Sequence, residues 1–257
     1  MSILYIIGTP IGNLEDISLR ALRILDEVDF VLCEDTRVTK KLLHHYKINT
    51  PTISFHQHSS LKKNDEIISL LLRGKNLALV TDAGTPGISD PGGKIIAQIT
   101  ELNEREGESI KIESVPGPSA VTAALSISGI PTDKFIFLGF PPHKKGRQTF
   151  LHKIFDSIFP VVIYESKHRI IKFLEEIEEL NKEIIKLNKK IDEEKKNVYL
   201  KKGEKKIKKI PLTSVVVCRE LSKMHETVYR GELRDTIKRI KENNEEQKGE
   251  FTIIIGK

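Results

Sequence analysis

Apolar residues come along this chain in short unbroken bursts, and between them lie stretches whose apolar positions recur at helical spacing. The first burst, Ile3-Leu4-Tyr5-Ile6-Ile7, has the pattern of a strand buried on both faces, as in a parallel sheet. Ser18 then reads as an N-cap for a helix with Leu19, Leu22 and Leu25 on one face. Phe30 to Cys33 is the next strand, ending in Glu34-Asp35-Thr36-Arg37, and a basic helix carrying Lys40, Lys41, His44 and His45 follows. A strand at Thr52–Phe55, a helix over roughly 60–73, a strand at 77–81 and a helix from Lys94 through Leu102 continue the alternation. A strand over 110–115 and a helix over 120–125 close the first half. After Gly129-Ile130-Pro131 the pattern restarts, with strands at 135–138, 161–164, 214–218 and 251–255. Helices are expected after the basic loop Pro141–Arg147, over Ile170, Leu174 and Ile177, and over Arg234–Asn243. The alternation predicts two α/β domains of similar size, 1–115 and 116–257, joined near 115–131, with the cleft between them as the natural ligand site.

The most informative stretch is LVTDAGTPGISDPGG, Leu79 to Gly93. It leaves a buried strand and packs four glycines and two prolines into ten residues. Gly permits φ > 0 and close backbone approach while Pro fixes φ, so this is a set, tightly turned loop. It is longer than an ordinary βα turn and carries Asp82 and Asp90, which points to a ligand loop. Two more glycine–proline loops, Gly8–Gly12 and Pro116–Ser119, also leave strand ends. Three such loops opening on one edge of one sheet match the way open α/β sheets bind ligands at the carboxyl ends of their strands.

Charge changes the picture only once it is localised. Asn181 to Lys209 holds twelve lysines against five acidic residues, a net +7, whereas the whole chain carries +6. Everything outside that segment is therefore near −1, and the basic character belongs to one lysine-rich insertion at about 181–212. The insertion either steers the protein toward phosphates or is a solvated, partly helical excursion without sustained apolar periodicity. No run of 18 apolar residues exists, so no membrane span is expected, and the N-terminus lacks the pattern of a signal peptide. Cys33 and Cys218 lie in apolar runs and read as core thiols, which places the protein in the cytoplasm.

Nucleotide fingerprints are absent: no G-x-G-x-x-G follows a strand and no G-x-x-x-x-G-K-[ST] or G-x-S-x-G occurs. His56-Gln57-His58 has one-face spacing on a strand, but no nearby Cys or His completes a set, so polar loop residues and no metal are expected. No stacking platform or known RNA-binding module stands out either.

TPIGNLEDISLRAL (9–22), EDTR (34–37), VTDAGTPGISDPG (80–92), VPGPSA (115–120), SGIPTDKF (128–135) and CRELSK followed by His225-Glu226 (218–226) together cover almost the whole chain in order. In this combination the chain resembles the tetrapyrrole methylase superfamily, and within it the rRNA-directed branch, the ribosomal RNA small subunit methyltransferase I family. The resemblance implies two α/β domains of tetrapyrrole methylase type with a cofactor cleft between them. It implies transfer of methyl from S-adenosylmethionine to the ribose 2′-hydroxyl of a cytidine in the decoding region of 16S rRNA, within the small ribosomal subunit, by a homodimer. It implies that Pro10 and Ile11 line the cofactor cleft, Asp82, Ala83, Gly84 and Thr85 form its floor, and Ser119, Ala120 and Tyr164 its far wall. Lys167 stands in YESKHR where the family has proline, which affects the turn after Glu165.

Methyl transfer from an activated donor depends mostly on positioning, although a base can help a weakly acidic ribose hydroxyl. Strand-end candidates are Glu34, Asp35, Glu165 and Glu226, with Arg37 and Lys223 to hold phosphate or an oxyanion; Asp35, Arg37, Lys223 and Glu226 form the catalytic set. For each, a structural salt bridge is the competing reading. Two other functions stay open: methylation of a tetrapyrrole precursor, and a non-catalytic ribosome-assembly or RNA-binding role.

Overall fold

The computed structural model describes residues 2–56, 61–90, 92–107, 110–196 and 209–256. They form two compact units, Met1–Ala120 and Val121–Lys257, the division falling a few residues after the one read from the sequence.

The first unit is built on strands β1 (Ile3–Ile7), β2 (Phe30–Cys33), β3 (Thr52–Ser54), β4 (Leu77–Leu79) and β5 (Lys111–Val115). Their order in the sheet is β3-β2-β4-β1-β5 and every pairing is parallel. The helices are α1 (Leu19–Glu27), α2 (Thr36–His45), α3 (Leu61–Leu72) and α4 (Gly93–Glu106). Because strand side chains alternate, Ile7, Val31, Cys33 and Val80 point to one face with Ala21, Leu25 and Leu43 from α1 and α2. Leu4, Leu32, Leu77 and Leu79 point to the other, onto Ile67 and Leu71 of α3 and Ile95 and Ile99 of α4. Ser18 caps α1 as its sequence position predicts, its Oγ accepting from Ala21 N at 3.0 Å. Helix α5 (Ala120–Ser128) begins at the unit boundary.

The second unit has strands β6 (Ile136–Phe137), β7 (Val161–Ser166), β8 (Ser214–Arg219), β9 (Thr227–Tyr229) and β10 (Glu250–Gly256), ordered β6-β7-β10-β8-β9. Among the described residues of this unit only β6 and β7 pair in parallel; the closing strand β10 lies between β7 and β8 and is antiparallel to both. Helices α6 (Arg147–Asp156), α7 (Ile170–Lys196) and α8 (Leu233–Glu242) cover the sheet.

Helix α7 agrees with a partly helical insertion and corrects the expectation that apolar periodicity is not sustained there. Instead of stopping before the lysine-rich insertion it runs on to Lys196, because Ile177, Ile184 and Ile191 continue its buried stripe at two-turn intervals. Asn181 Oδ1 accepts from Leu212 N at 3.0 Å and Asn188 Nδ2 donates to Lys209 O at 2.8 Å, tying the returning chain to the helix. The periodicity is one residue per two turns, sparse enough to vanish among twelve lysines. The remainder of the insertion, 197–208, lies outside the described residues, as does His58 of the H-x-H stretch. Strand β9 was not foreseen; three residues with a single inward Tyr229 give little period-2 signal.

Candidate active site

Strands β4, β1 and β5 are adjacent in the sheet, so the loops leaving their carboxyl ends are forced together. Thr9 N donates to Gly84 O at 2.9 Å and Gly84 N to Thr9 O at 3.1 Å, a two-residue antiparallel bridge between the first and second loops. Thr9 Oγ1, buried, adds a bond to Thr81 O at 3.1 Å. The third loop touches both. Thr85 Oγ1 donates to Pro118 O at 3.1 Å, and Gly8 and Gly117 meet backbone to backbone. A Cβ on Gly117 would lie 2.5 Å from Gly8 O, so no side chain fits there. Gly84 is needed for a different reason: its φ is +85°, while an added Cβ would find ordinary space. These three loops, singled out by glycine and proline content, form one connected floor.

The placement follows from topology. Helix α1 after β1 and helix α4 after β4 pack on opposite faces of the sheet, although β1 and β4 are neighbours. Such a switch point opens a crevice at the carboxyl ends of the two strands, where ligands bind in open α/β sheets. Thr9 and Gly84 sit at that point.

Carboxylates gather on the β2 and β4 side. Asp82 Oδ1 accepts from Asp35 N at 3.0 Å, so one oxygen of Asp82 caps the end of β2 while the side chain stays exposed. Burial, then the charges of Glu34 and Asp82, push Asp90 up to about 6. Burial and Asp82 likewise raise Glu34, opposed by the charge of His56. Glu34, Asp82 and Asp90 therefore share one negative field. Ser89 beside Asp90 holds φ +66°, a left-handed conformation uncommon outside glycine, as strained ligand loops often do.

Asp35 and Arg37 stand together on the first unit. Asp35 is the N-cap of α2 and chelates the Arg37 side chain, Arg37 Nη2 lying 2.6 Å from Oδ2. The hydrogen bonds from Arg37 lower the Asp35 carboxyl to about 2, which leaves it a poor proton acceptor at neutral pH. Arg37, Lys40, Lys41, His44, His45 and Leu14 line a shallow groove of about 470 Å³ beside it. Lys223 and Glu226 lie in the second unit, in the turn after β8. Lys223 Nζ bonds Glu220 at 2.9 Å and Glu250 at 2.8 Å, and Glu226 Oε2 accepts from Ser222 N at 2.7 Å. Lys223 is tied into the turn by ion pairs, and Glu226 by a hydrogen bond from the backbone. Tyr164, also in the second unit, is half-buried between Phe137 and Phe140, with centroids 4.9 and 5.4 Å away.

Glu165 is fully buried and pairs with Arg169 at 2.8 Å; burial raises its carboxyl, and Oε2 finds no hydrogen-bond partner among the described residues. It holds a loop in place rather than facing an open site. Lys167 sits exposed in the turn between β7 and α7, where the chain bends without the family's proline.

Chemically, the first unit's floor suits a folded zwitterion with a sulfonium. Pro10 is buried and Ile11 half-buried, giving an apolar wall, Ala83 is exposed, and Ser119 and Ala120 are half-buried at the third loop. The carboxylates Asp82, Glu34 and Asp90 oppose a positive ligand charge. Both backbone groups of Gly84 are bonded to Thr9, so its N–H is already engaged within the floor. Glu34 and Asp90 were visible as loop residues, but only the fold brings their charges together.

The family model for tetrapyrrole (corrin/porphyrin) methylases matches residues 3–237. The chain is similar to ribosomal RNA small subunit methyltransferase I of Thermotoga maritima, 38% identical over 99% of this chain and 98% of that one. The Synechocystis protein of that name is also 38% identical, over 99% and 79%. The Escherichia coli O157:H7 one is 36% identical, over 98% and 77%. Among solved structures, diphthine synthase superposes with TM-score 0.63 at 15% identity, covering 100% of this chain and 90% of that one. Cobalt precorrin-4 methyltransferase gives 0.61 at 21%, covering 99% and 94%. At those identities the structures speak for the fold alone.

Proposed function

Because the chain belongs to the tetrapyrrole methylases, and within them to the ribosomal RNA small subunit methyltransferase I family, we propose that it methylates small-subunit rRNA from S-adenosylmethionine, at the 2′-hydroxyl of a cytidine ribose in the decoding region. The observation that carries the reading is the connected floor of three loops at the β1/β4 switch point, built from the segments on which the family resemblance rests. When bound, S-adenosylmethionine supplies an activated methyl group. The protein's task is then to hold donor and acceptor in line.

Pro10, Ile11, Asp82, Ala83, Gly84, Thr85, Ser119 and Ala120 are assigned to the cofactor, with Tyr164 retained on resemblance. For the ribose proton, Glu34 is better suited than Asp35, since its carboxyl is raised while Arg37 depresses that of Asp35. Arg37, Lys40 and Lys41 on α2 meet the phosphates of approaching RNA; Asp35 keeps Arg37 oriented. Lys223 and Glu226 act as structural members of their turn. The reading includes an assembled subunit as acceptor and a homodimer as the acting species, the latter checked by light scattering.

The deciding experiment offers labelled S-adenosylmethionine with small subunits lacking their own modification, naked 16S rRNA, and a tetrapyrrole precursor. Label on a single cytidine ribose is the expected result. Label on the tetrapyrrole, or none on any acceptor despite cofactor binding, overturns the assignment.

A further inference from the structure

The loop Gly139–Gly146 of the second unit is clamped from inside. Arg169 Nη1 donates to Pro141 O at 2.8 Å, Arg147 Nη1 to Pro142 O at 3.0 Å, and Tyr164 N to Gly139 O at 3.1 Å. Both guanidiniums are held in turn, Arg169 by Glu165 at 2.8 Å and Arg147 by Glu176 at 2.6 Å. Glu165 is 1% and Arg147 7% exposed. Buried pairs of this kind give little net stability for their desolvation cost. What they achieve here is a rigid backbone for a surface loop.

The outer side of that loop has a distinct chemistry. Phe140 is 52% exposed, its ring seated against Tyr164, which meets Phe137. His143, Lys144 and Lys145 follow, all exposed, and no carboxylate among the described residues pairs with them. Between Asp133 and Asp156 the sequence has five Lys or Arg, two His and no acid. Lysine is depleted from the cores of protein–protein interfaces, whereas an aromatic face beside cations is the usual surface for single-stranded nucleic acid. The sequence alone reveals no stacking platform, because nothing in Gly139-Phe140-Pro141 says that the ring stays outside.

We propose that this loop docks a single-stranded segment of RNA, one base stacking on Phe140 while His143, Lys144 and Lys145 face the adjoining phosphates. The proposal rests on rRNA being the substrate, and all of its residues lie in the second unit.

The test is fluorescence anisotropy of a labelled single-stranded RNA oligonucleotide across a salt series, with S-adenosylmethionine affinity and melting temperature measured alongside. Phe140→Ala is expected to weaken RNA binding by roughly 5- to 150-fold, the range of one lost base–aromatic stack, with Phe140→Trp retaining it. Lys144→Ala with Lys145→Ala should lower the slope of log affinity against log salt by about 1.4, two phosphate contacts on a single strand. Melting temperature should not move in any of these variants, nor cofactor affinity in the lysine pair, whereas Phe140, which touches Tyr164, is read on RNA binding without cofactor present. Wild-type affinity in Phe140→Ala, full affinity in Phe140→Leu, or a parallel loss of cofactor binding in the lysine pair would each overturn the proposal, as would a wild-type protein with no affinity for the oligonucleotide. A wild-type protein that binds RNA through this loop but methylates no rRNA would leave the platform standing and sink the reaction proposed above.

Discussion

Gly117→Ala is the sharpest probe of the three-loop floor. The added Cβ would lie 2.5, 2.8 and 2.9 Å from O, C and Cα of Gly8, all backbone atoms with no rotamer to yield. Ordinary contact begins near 3.4 Å, so the first and third loops must separate by nearly 1 Å. Overpacking of this size costs about 1–3 kcal/mol, or about 2–12 °C in melting temperature for a chain of this length. The functional cost should be larger, since a displacement of about 1 Å in a positioning element can lower a rate about 100-fold. The assay pairs calorimetric titration with S-adenosylmethionine with a thermal melt. Gly107→Ala serves as control: at the C-terminus of α4, φ is +66° and nothing lies within 4 Å of an added Cβ. It should lose about 1 kcal/mol through backbone strain and bind cofactor normally. If Gly117→Ala binds S-adenosylmethionine as tightly as wild type, the loop contact does not shape the cofactor site and the reasoning fails.

Three further outcomes follow from particular contacts. The raised Asp90 makes the folded protein hold a proton that the unfolded chain releases, so that contribution to stability is full below about pH 3.8 and lost as pH rises through about 6. Asp90→Asn should therefore match wild type in acid and exceed it by about 1–2 kcal/mol at pH 7.5 in urea unfolding, after discounting for partial exposure; a pH-independent difference would refute it. Arg169→Ala strands the buried Glu165 carboxylate and should cost about 3–5 kcal/mol near neutral pH, less in acid where Glu165 is protonated; a melt unchanged from wild type would deny the clamp. Ile191→Ala should cost about 2–4 kcal/mol despite lying in the lysine-rich insertion, and a loss below 0.5 kcal/mol would show that α7 ends earlier in solution.

The sequence by itself determined the alternation of elements and the three glycine–proline loops, because burial on both faces of a parallel strand and φ > 0 at a turn are local demands that residue type answers directly. It also determined the family, through motifs spread over nearly the whole chain. Only the tertiary structure decided which strands neighbour which. The order β3-β2-β4-β1-β5 makes Gly8 touch Gly117 and Thr9 bond Gly84, contacts between residues far apart in the chain that no local pattern records. The same holds for charge. Glu34 and Asp90 are raised first by burial, and Glu34 adds to the rise of Asp90 only because the fold brings the ends of β2 and β4 together, while Asp35, an equal candidate on paper, is neutralised as a base by Arg37 two residues away. Ile184 shows the reverse case, a local signal too sparse to read until the core supplied the surface that buries it. Residue types announce what a segment must do with its backbone; which side chains share a field, a clamp or a floor is set by the packing that brings them within a few ångströms.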